Sequence, residues 1–333
     1  MARKIAIQTL VIIIVLLAAI AGFIIWADPY QQYRASDDFV GNQRLEIPGV
    51  ARNHDYNAAI MGSSMVMNHS PEQIDSLFGW RTYNFSFMGA THDDFGIALP
   101  FIIKQGKVKH IIFDIDYFTY ASKEKRMAEY LWDDNILNDV SYWFNYTSLE
   151  HAIQKLRNPI KRKNLYNFHN EETEAKVYDS YSKAIGGEGF DSRIYDMGHN
   201  AMAMNFDNTV GHAIKASSGK VEWLLFFPPY SAAEYARIEH FGHLEDFLKL
   251  RKHIVDNYCT LPNVRMFDFQ ADKSIVCDLN QYYDTRHHSH AYNRMTVSEM
   301  ENGGHGISKR NIDSNNAEIR RISSEFIRSY HQR

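Results

Sequence analysis

Two stretches far apart in the chain carry residue types able to do chemistry together. Gly62-Ser63-Ser64-Met65 follows an apolar run, and Tyr283-Asp284-Thr285-Arg286-His287 stands near the other end, followed by His288, Ser289 and His290. A serine hydroxyl is a poor nucleophile at neutral pH and needs a base within hydrogen-bond reach; a histidine oriented by a carboxylate is such a base. Asp284 lies three residues before His287, a spacing that puts both on one face of a helical turn. There a carboxylate holds the imidazole tautomer and stabilises the imidazolium. Gly62 permits a tight turn, and N–H groups at the start of the next helix can stabilise an oxyanion. By itself Gly-Ser-Ser is a common turn, and either Ser63 or Ser64 can carry the reactive hydroxyl. His287, His288 and His290, with His92 and Asp284, also form a conceivable zinc set, but neither a helix-spaced His-x-x-x-His nor a cysteine pair supports it. No metal and no cofactor are expected.

Other candidates close apolar runs. Asp114 and Asp116 in Asp114-Ile115-Asp116-Tyr117, Tyr230 in Phe227-Pro228-Pro229-Tyr230, and Asn84 are possible substrate contacts, as is Ser63. Capping the following helix or stiffening a loop explains the same residue types equally well. Asn-x-Ser/Thr patterns at Asn68, Asn84 and Asn145 read as accidental. Gly186-Gly187-Glu188-Gly189 reads as a turn, because no Lys-Ser or Lys-Thr follows it.

The elements that must position these residues are legible as short apolar runs alternating with amphipathic stretches, the pattern of a parallel sheet covered by helices. Strands are predicted at 58–61, 82–85, 110–114, 221–227 and 264–267, and helices at 71–77, 92–104 and 232–258. Between about 120 and 220 the alternation fails. That stretch mixes Trp132, Trp143, Tyr146, Tyr166, Tyr178 and Tyr181 with many charges and reads as a largely helical insertion or lid. The fold class is therefore α/β, with a parallel sheet flanked by helices. A serine directly after the first strand would lie at the carboxyl edge of such a sheet, where ligands of open α/β folds bind.

The order of these pieces resembles the SGNH, or GDSL-like, esterase and acyltransferase superfamily over about 58–293. The resemblance implies that Ser64 is the nucleophile, that Asp284 and His287 complete a triad, and that Gly89, in Asn84-Phe85-Ser86-Phe87-Met88-Gly89, joins the Ser64 N–H in the oxyanion hole. Two departures stand out. Ser63 replaces the usual aspartate before the nucleophile, which resembles the membrane-anchored branch that includes the D-alanyl transfer protein of teichoic-acid modification. The family's Gly-x-Asn-Asp is absent, with Asp114-Ile115-Asp116-Tyr117 in its place, so one oxyanion donor is unassigned. The resemblance implies a serine O-acyltransferase or esterase acting on acyl esters of cell-envelope polysaccharide, with a cell-surface glycan and a membrane acyl-donor protein as partners. The missing asparagine also suits a non-catalytic glycan-binding or assembly subunit that keeps the fold.

Composition and the N-terminal region set the compartment. Ile5 to Trp26 is an uncharged run of roughly 22 residues, enough to cross a ~30 Å hydrocarbon layer. Arg3 and Lys4 precede it and Asp28 follows, which predicts a cytoplasmic N-terminus and an extracytoplasmic C-terminal domain, periplasmic or at the cell surface. A cleaved signal ending near Ala19-Ile20-Ala21 is the competing reading, but the apolar run continues past that site. Residues 28–50 read as a stalk or wrapping segment, and 51–333 as the α/β domain carrying the insertion. The chain holds 36 Lys and Arg against 40 Asp and Glu. Without Arg3 and Lys4 the balance is 34 against 40, a formal charge of −6 that gives no encouragement to nucleic-acid binding. Cys259 and Cys277 are compatible with a disulfide or with two unlinked thiols.

Overall fold

Ala58–Met61 (β1), Thr82–Asn84 (β2), His110–Asp114 (β3), Glu222–Phe227 (β4) and Val264–Asp268 (β5) are short and apolar because both faces of the sheet they form are covered. The computed structural model describes residues 1–121, 124, 126–160, 172–188 and 198–332; Tyr166 and Gly189 lie outside them. The strands pair in parallel in the order β2-β1-β3-β4-β5, a flavodoxin-like sheet. Met61 pairs with Phe113, Asp114 with Phe226 and Phe227 with Asp268, so all the carboxyl ends meet along one edge. Trp223, Leu224, Leu225 and Phe226 of β4 are fully buried. Each such side chain contributes about 1.5–3 kcal/mol of transfer free energy.

The flanking helices follow the expected positions with one difference. Pro71–Phe78 and His92–Lys104 are helical, the latter opened by a reciprocal cap between Thr91 and Asp94. The predicted 232–258 helix is two, Ala232–His240 and Leu244–Tyr258. Gly242 breaks it by adopting φ +79°, a left-handed conformation that glycine takes without steric cost. At the carboxyl edge Arg251 forms a buried ion pair with Asp268 at 2.7 Å, and its guanidinium lies 4.4 Å from the Phe227 ring centroid.

The chain divides into two compact units, Met1–Asp55 with Arg126–Leu165, and Tyr56–Lys125 with Tyr166–Arg333. The sheet belongs wholly to the second. The stretch between β3 and β4 is thus shared, with Arg126–Leu165 grouping with the N-terminal residues and the rest with the sheet.

In the first unit the Ala2–Ala27 helix is long and apolar enough to cross a membrane. It ends at Asp28, whose φ of 41° turns the chain back. The Asp28 carboxylate accepts from the N–H groups of Gln32 (2.8 Å), Tyr33 (3.0 Å) and Arg34 (3.2 Å) and from the Tyr142 hydroxyl (3.0 Å). Lys155 Nζ donates to the Asp28 carbonyl at 2.7 Å. Glu46 accepts from the N–H groups of Val40, Gly41 and Asn42, and the Trp132 indole N–H donates to the Arg44 carbonyl. Residues 28–50 are therefore folded and hydrogen-bonded within this unit.

Candidate active site

The first half of the site is the turn after β1. Gly62 has φ +150°, and a Cβ there would collide with the Asp114 carboxylate. That carboxylate closes the turn: Ser63 N–H donates to Asp114 Oδ1 at 3.0 Å, and Ser63 Oγ donates to Oδ2 at 2.9 Å. Ser63 Oγ also accepts from Met65 N–H at 3.2 Å, capping the short 3-10 turn Ser64–Val66. Within 61–67 only Ser64 is more than marginally exposed. Its N–H opens the 3-10 turn, a position with no partner inside the turn. Phe87 N–H donates to the Gly62 carbonyl at 2.9 Å, which lays the 85–89 segment beside the serine turn. Gly89, exposed and with φ 56°, follows two residues later.

The second half is a tight loop before the His290–Asn302 helix. Tyr283 N–H bonds the His287 carbonyl at 2.8 Å and Ser289 N–H bonds the Gln281 carbonyl at 2.8 Å, which forces the intervening residues into a compact bend. Asp284 Oδ1 accepts from Arg286 N–H and His287 N–H, each at 2.7 Å, and Oδ2 lies 2.7 Å from His287 Nδ1. His287 Nε2 lies 2.9 Å from Ser64 Oγ, 223 residues away in sequence. The consistent proton assignment has Nδ1–H donating to Asp284 and Nε2 accepting from the serine hydroxyl. Burial opposes the charge on Asp284, but the His287 charge and hydrogen bonds outweigh it and hold the carboxyl well below the usual carboxylate range. Such a site supplies a nucleophile, a base and an orienting anion.

The bend is held from behind by groups that sequence reasoning passed over. Ser231 donates through N–H and Oγ to the Thr285 carbonyl, and Thr285 Oγ1 donates to Glu234 Oε2 at 2.5 Å. Glu234, fully buried, is paired with Arg237 at 2.6 Å, and Arg286 stacks over Phe118 at 4.1 Å. Glu234 and Arg237 stand one helical turn apart, the one signal that was available.

The remaining candidates separate cleanly. Ser63, Asp114, Asp116 and Tyr230 are buried and aim their polar groups at one another or at backbone. The Tyr230 hydroxyl donates to Asp116 and accepts from Tyr117 N–H at 3.2 Å. Asn84 Nδ2 donates to the carbonyls of Val66 (2.9 Å) and Met67 (3.2 Å), and its Oδ1 accepts from Ser86 Oγ at 2.6 Å, so its amide braces the loop after Ser64. Burial, with Asp116 adding to it, pushes the Asp114 carboxyl well above the usual range. His288 is buried, which pushes its imidazole down to about 4, whereas His287 and His290 are partly exposed. A pocket of about 120 Å³ beside the imidazole is lined by Asn68, Glu172, Tyr283, Asp284, His287, His288 and His290. Among the described residues no cluster of three or more His, Cys, Asp or Glu has metal-holding geometry. Cys259 and Cys277 are unlinked.

No protein-family model matches the chain, and no curated protein matches its sequence. Among solved structures, one whose description names a platelet activating factor from Streptococcus pneumonia aligns over 78% of this chain and 90% of that one, at 12% identity and a TM-score of 0.39. A likeness of that degree carries no argument about chemistry, which rests on the side chains themselves.

Proposed function

We propose that the chain is a membrane-anchored, SGNH-like serine O-acyltransferase or esterase acting on acyl esters of extracytoplasmic, cell-envelope polysaccharide. The observation that carries this reading is the continuous contact from Ser64 Oγ to His287 Nε2 (2.9 Å) and from His287 Nδ1 to Asp284 (2.7 Å), at the carboxyl edge of a parallel sheet. His287 takes the Ser64 proton as Oγ attacks the acyl carbonyl carbon. The tetrahedral oxyanion is received by the Ser64 N–H, with Gly89 as the second donor. Collapse breaks the ester C–O bond, and the departing alcohol leaves with the proton from His287. Water or a sugar hydroxyl, deprotonated by the same imidazole, then attacks acyl-Ser64 and regenerates the serine. Transfer is favoured over hydrolysis by the apolar N-terminal helix, which would hold the domain beside a membrane acyl-donor protein and a glycan; this is argument by family-level analogy.

A second reading, a non-catalytic subunit, draws on Asn84 and Asp114. Both are committed to internal hydrogen bonds, and neither supplies an oxyanion donor. The two readings separate when the purified full chain is given a chromogenic acetyl ester with and without a soluble polysaccharide. The enzyme releases the chromophore, acetylates the polysaccharide where transfer operates, and loses both activities in Ser64→Ala. Absence of turnover and of acyl-Ser64 across pH 6–9 contradicts the enzyme.

A further inference from the structure

Outside the Ala2–Ala27 helix, most exposed large apolar side chains among the described residues fall within 136–156, in the same unit as that helix. They are ordered. Leu137, Val140 and Phe144 recur at i, i+3 and i+7 along the helical run Ile136–Trp143 and its cap, with Leu137 85% and Phe144 46% exposed. On the Tyr146–Arg157 helix, Ser148, Ala152 and Lys155 are buried, while Tyr146, Ile153 and Leu156 stand exposed on another face, with Glu150 and Arg157 exposed among them. Large apolar side chains exposed in a run, with a few charges interleaved, suit an interface where the apolar groups enter a non-aqueous layer and the charges stay at its polar margin.

The depth of these helices follows from what they pack against. Val140–Trp143 and Tyr146–Arg157 both contact the Ala2–Ala27 helix, which buries Ile24 and Ala27 near its end. If that helix spans a bilayer from Ile5 outward, about 20 residues at 1.5 Å cross a ~30 Å hydrocarbon layer, so Ile24 marks its outer boundary. Elements packed side-on around Ile24 and Ala27 then lie at the level of the lipid headgroups. Polar aromatic groups cluster at that level, as they do at membrane interfaces. The Trp143 indole N–H donates to the Tyr33 hydroxyl at 2.7 Å, that hydroxyl donates to Asp139 at 2.9 Å, and Tyr30 stacks on Tyr142 with centroids 5.3 Å apart.

We propose that residues 136–156 form a collar whose apolar stripe inserts into the outer interface of the bilayer, giving this unit a second lipid contact besides the spanning helix. The inference rests on the membrane-anchor reading and is independent of the chemistry at Ser64. In the manner of an interfacial amphipathic helix, the stripe buries apolar area among headgroups and upper acyl chains.

The test uses the full chain in vesicles of phosphatidylcholine and phosphatidylglycerol, with Cys259 and Cys277 replaced by serine and a fluorophore placed singly through Leu137→Cys, Phe144→Cys, Ile153→Cys or Val15→Cys. The collar predicts that lipids brominated near the headgroup quench the labels at 137, 144 and 153 several-fold more than aqueous iodide does. Deep bromines should quench the label at 15. Quenching at 137, 144 and 153 by aqueous iodide and not by bromolipid, with 15 still quenched by lipid, overturns the collar. Loss of lipid quenching at 15 overturns the anchor and the collar with it.

Discussion

Two sets of carboxylates stand near the same sheet edge, and their surroundings push them in opposite directions. Asp284 accepts two backbone N–H groups and faces His287, and its carboxyl is held well below the ordinary range. Asp114 is buried beside Asp116, and its carboxyl is pushed well above that range. The first is an acceptor that has to remain anionic to orient an imidazole. The second works by shape and hydrogen bonding, holding Ser63 and the Gly62 turn so that Ser64 points outward. A carboxylate near the proposed nucleophile is thus assigned by what it touches, since residue type and position at the edge do not separate the two roles.

The same substitution at both sites sharpens that contrast most. Asp284→Asn should lower kcat by about 10³–10⁴-fold, because an amide stabilises neither the required tautomer nor the imidazolium. Asp114→Asn should stay within about tenfold of the parent, because an amide keeps the shape of the carboxyl and one acceptor oxygen for the Ser63 turn. Equal losses in the two variants, measured as steady-state ester turnover, would erase the distinction. His287→Ala should cost on the order of 10³-fold or more in rate while leaving thermal unfolding nearly unchanged.

Stability effects come next in size. Arg251→Ala leaves Asp268 buried and unpaired, and should destabilise by about 3–5 kcal/mol in denaturant unfolding with refolding controls. Glu46 supplies a pH test in the other unit. Burial outweighs its three backbone hydrogen bonds and raises its carboxyl to about 7. A folded-state pKa above the unfolded value means that the native state holds the proton more tightly, so this group's contribution falls as pH rises from about 4.5 to about 7, by about 3 kcal/mol in all. Glu46→Gln should flatten that part of the stability profile; an unchanged slope would contradict the assignment.

Much of this was readable in the residues, and the limits have physical causes. The strands announced themselves because buried parallel strands are continuous apolar runs, and each appears within a residue or so of its expected span. The contact of Ser64 with His287 and of His287 with Asp284 was foreseeable because a proposed nucleophile needs a base and the base an orienting group. Asp114, Asp116 and Tyr230 looked the same whether they touched substrate or one another, since only packing decides where a strand-end side chain points. The Glu234, Thr285 and Arg237 brace was hidden because its members are 51 residues apart at the hydroxyl contact and meet only through the fold. Residues 126–160 could not be assigned to the N-terminal unit from composition. Their attachment runs through helix packing against the Ala2–Ala27 helix and hydrogen bonds such as Tyr142 to Asp28, between residues far apart in the chain.

Intact-mass analysis after exposure to a fluorophosphonate tests most directly whether His287 and Asp284 make Ser64 reactive. One adduct should form and map to Ser64; it should be absent in Ser64→Ala and should form on the order of 10³-fold more slowly in His287→Ala. An adduct on Ser63, or a Ser64 adduct forming at the same rate without the imidazole, would contradict the account.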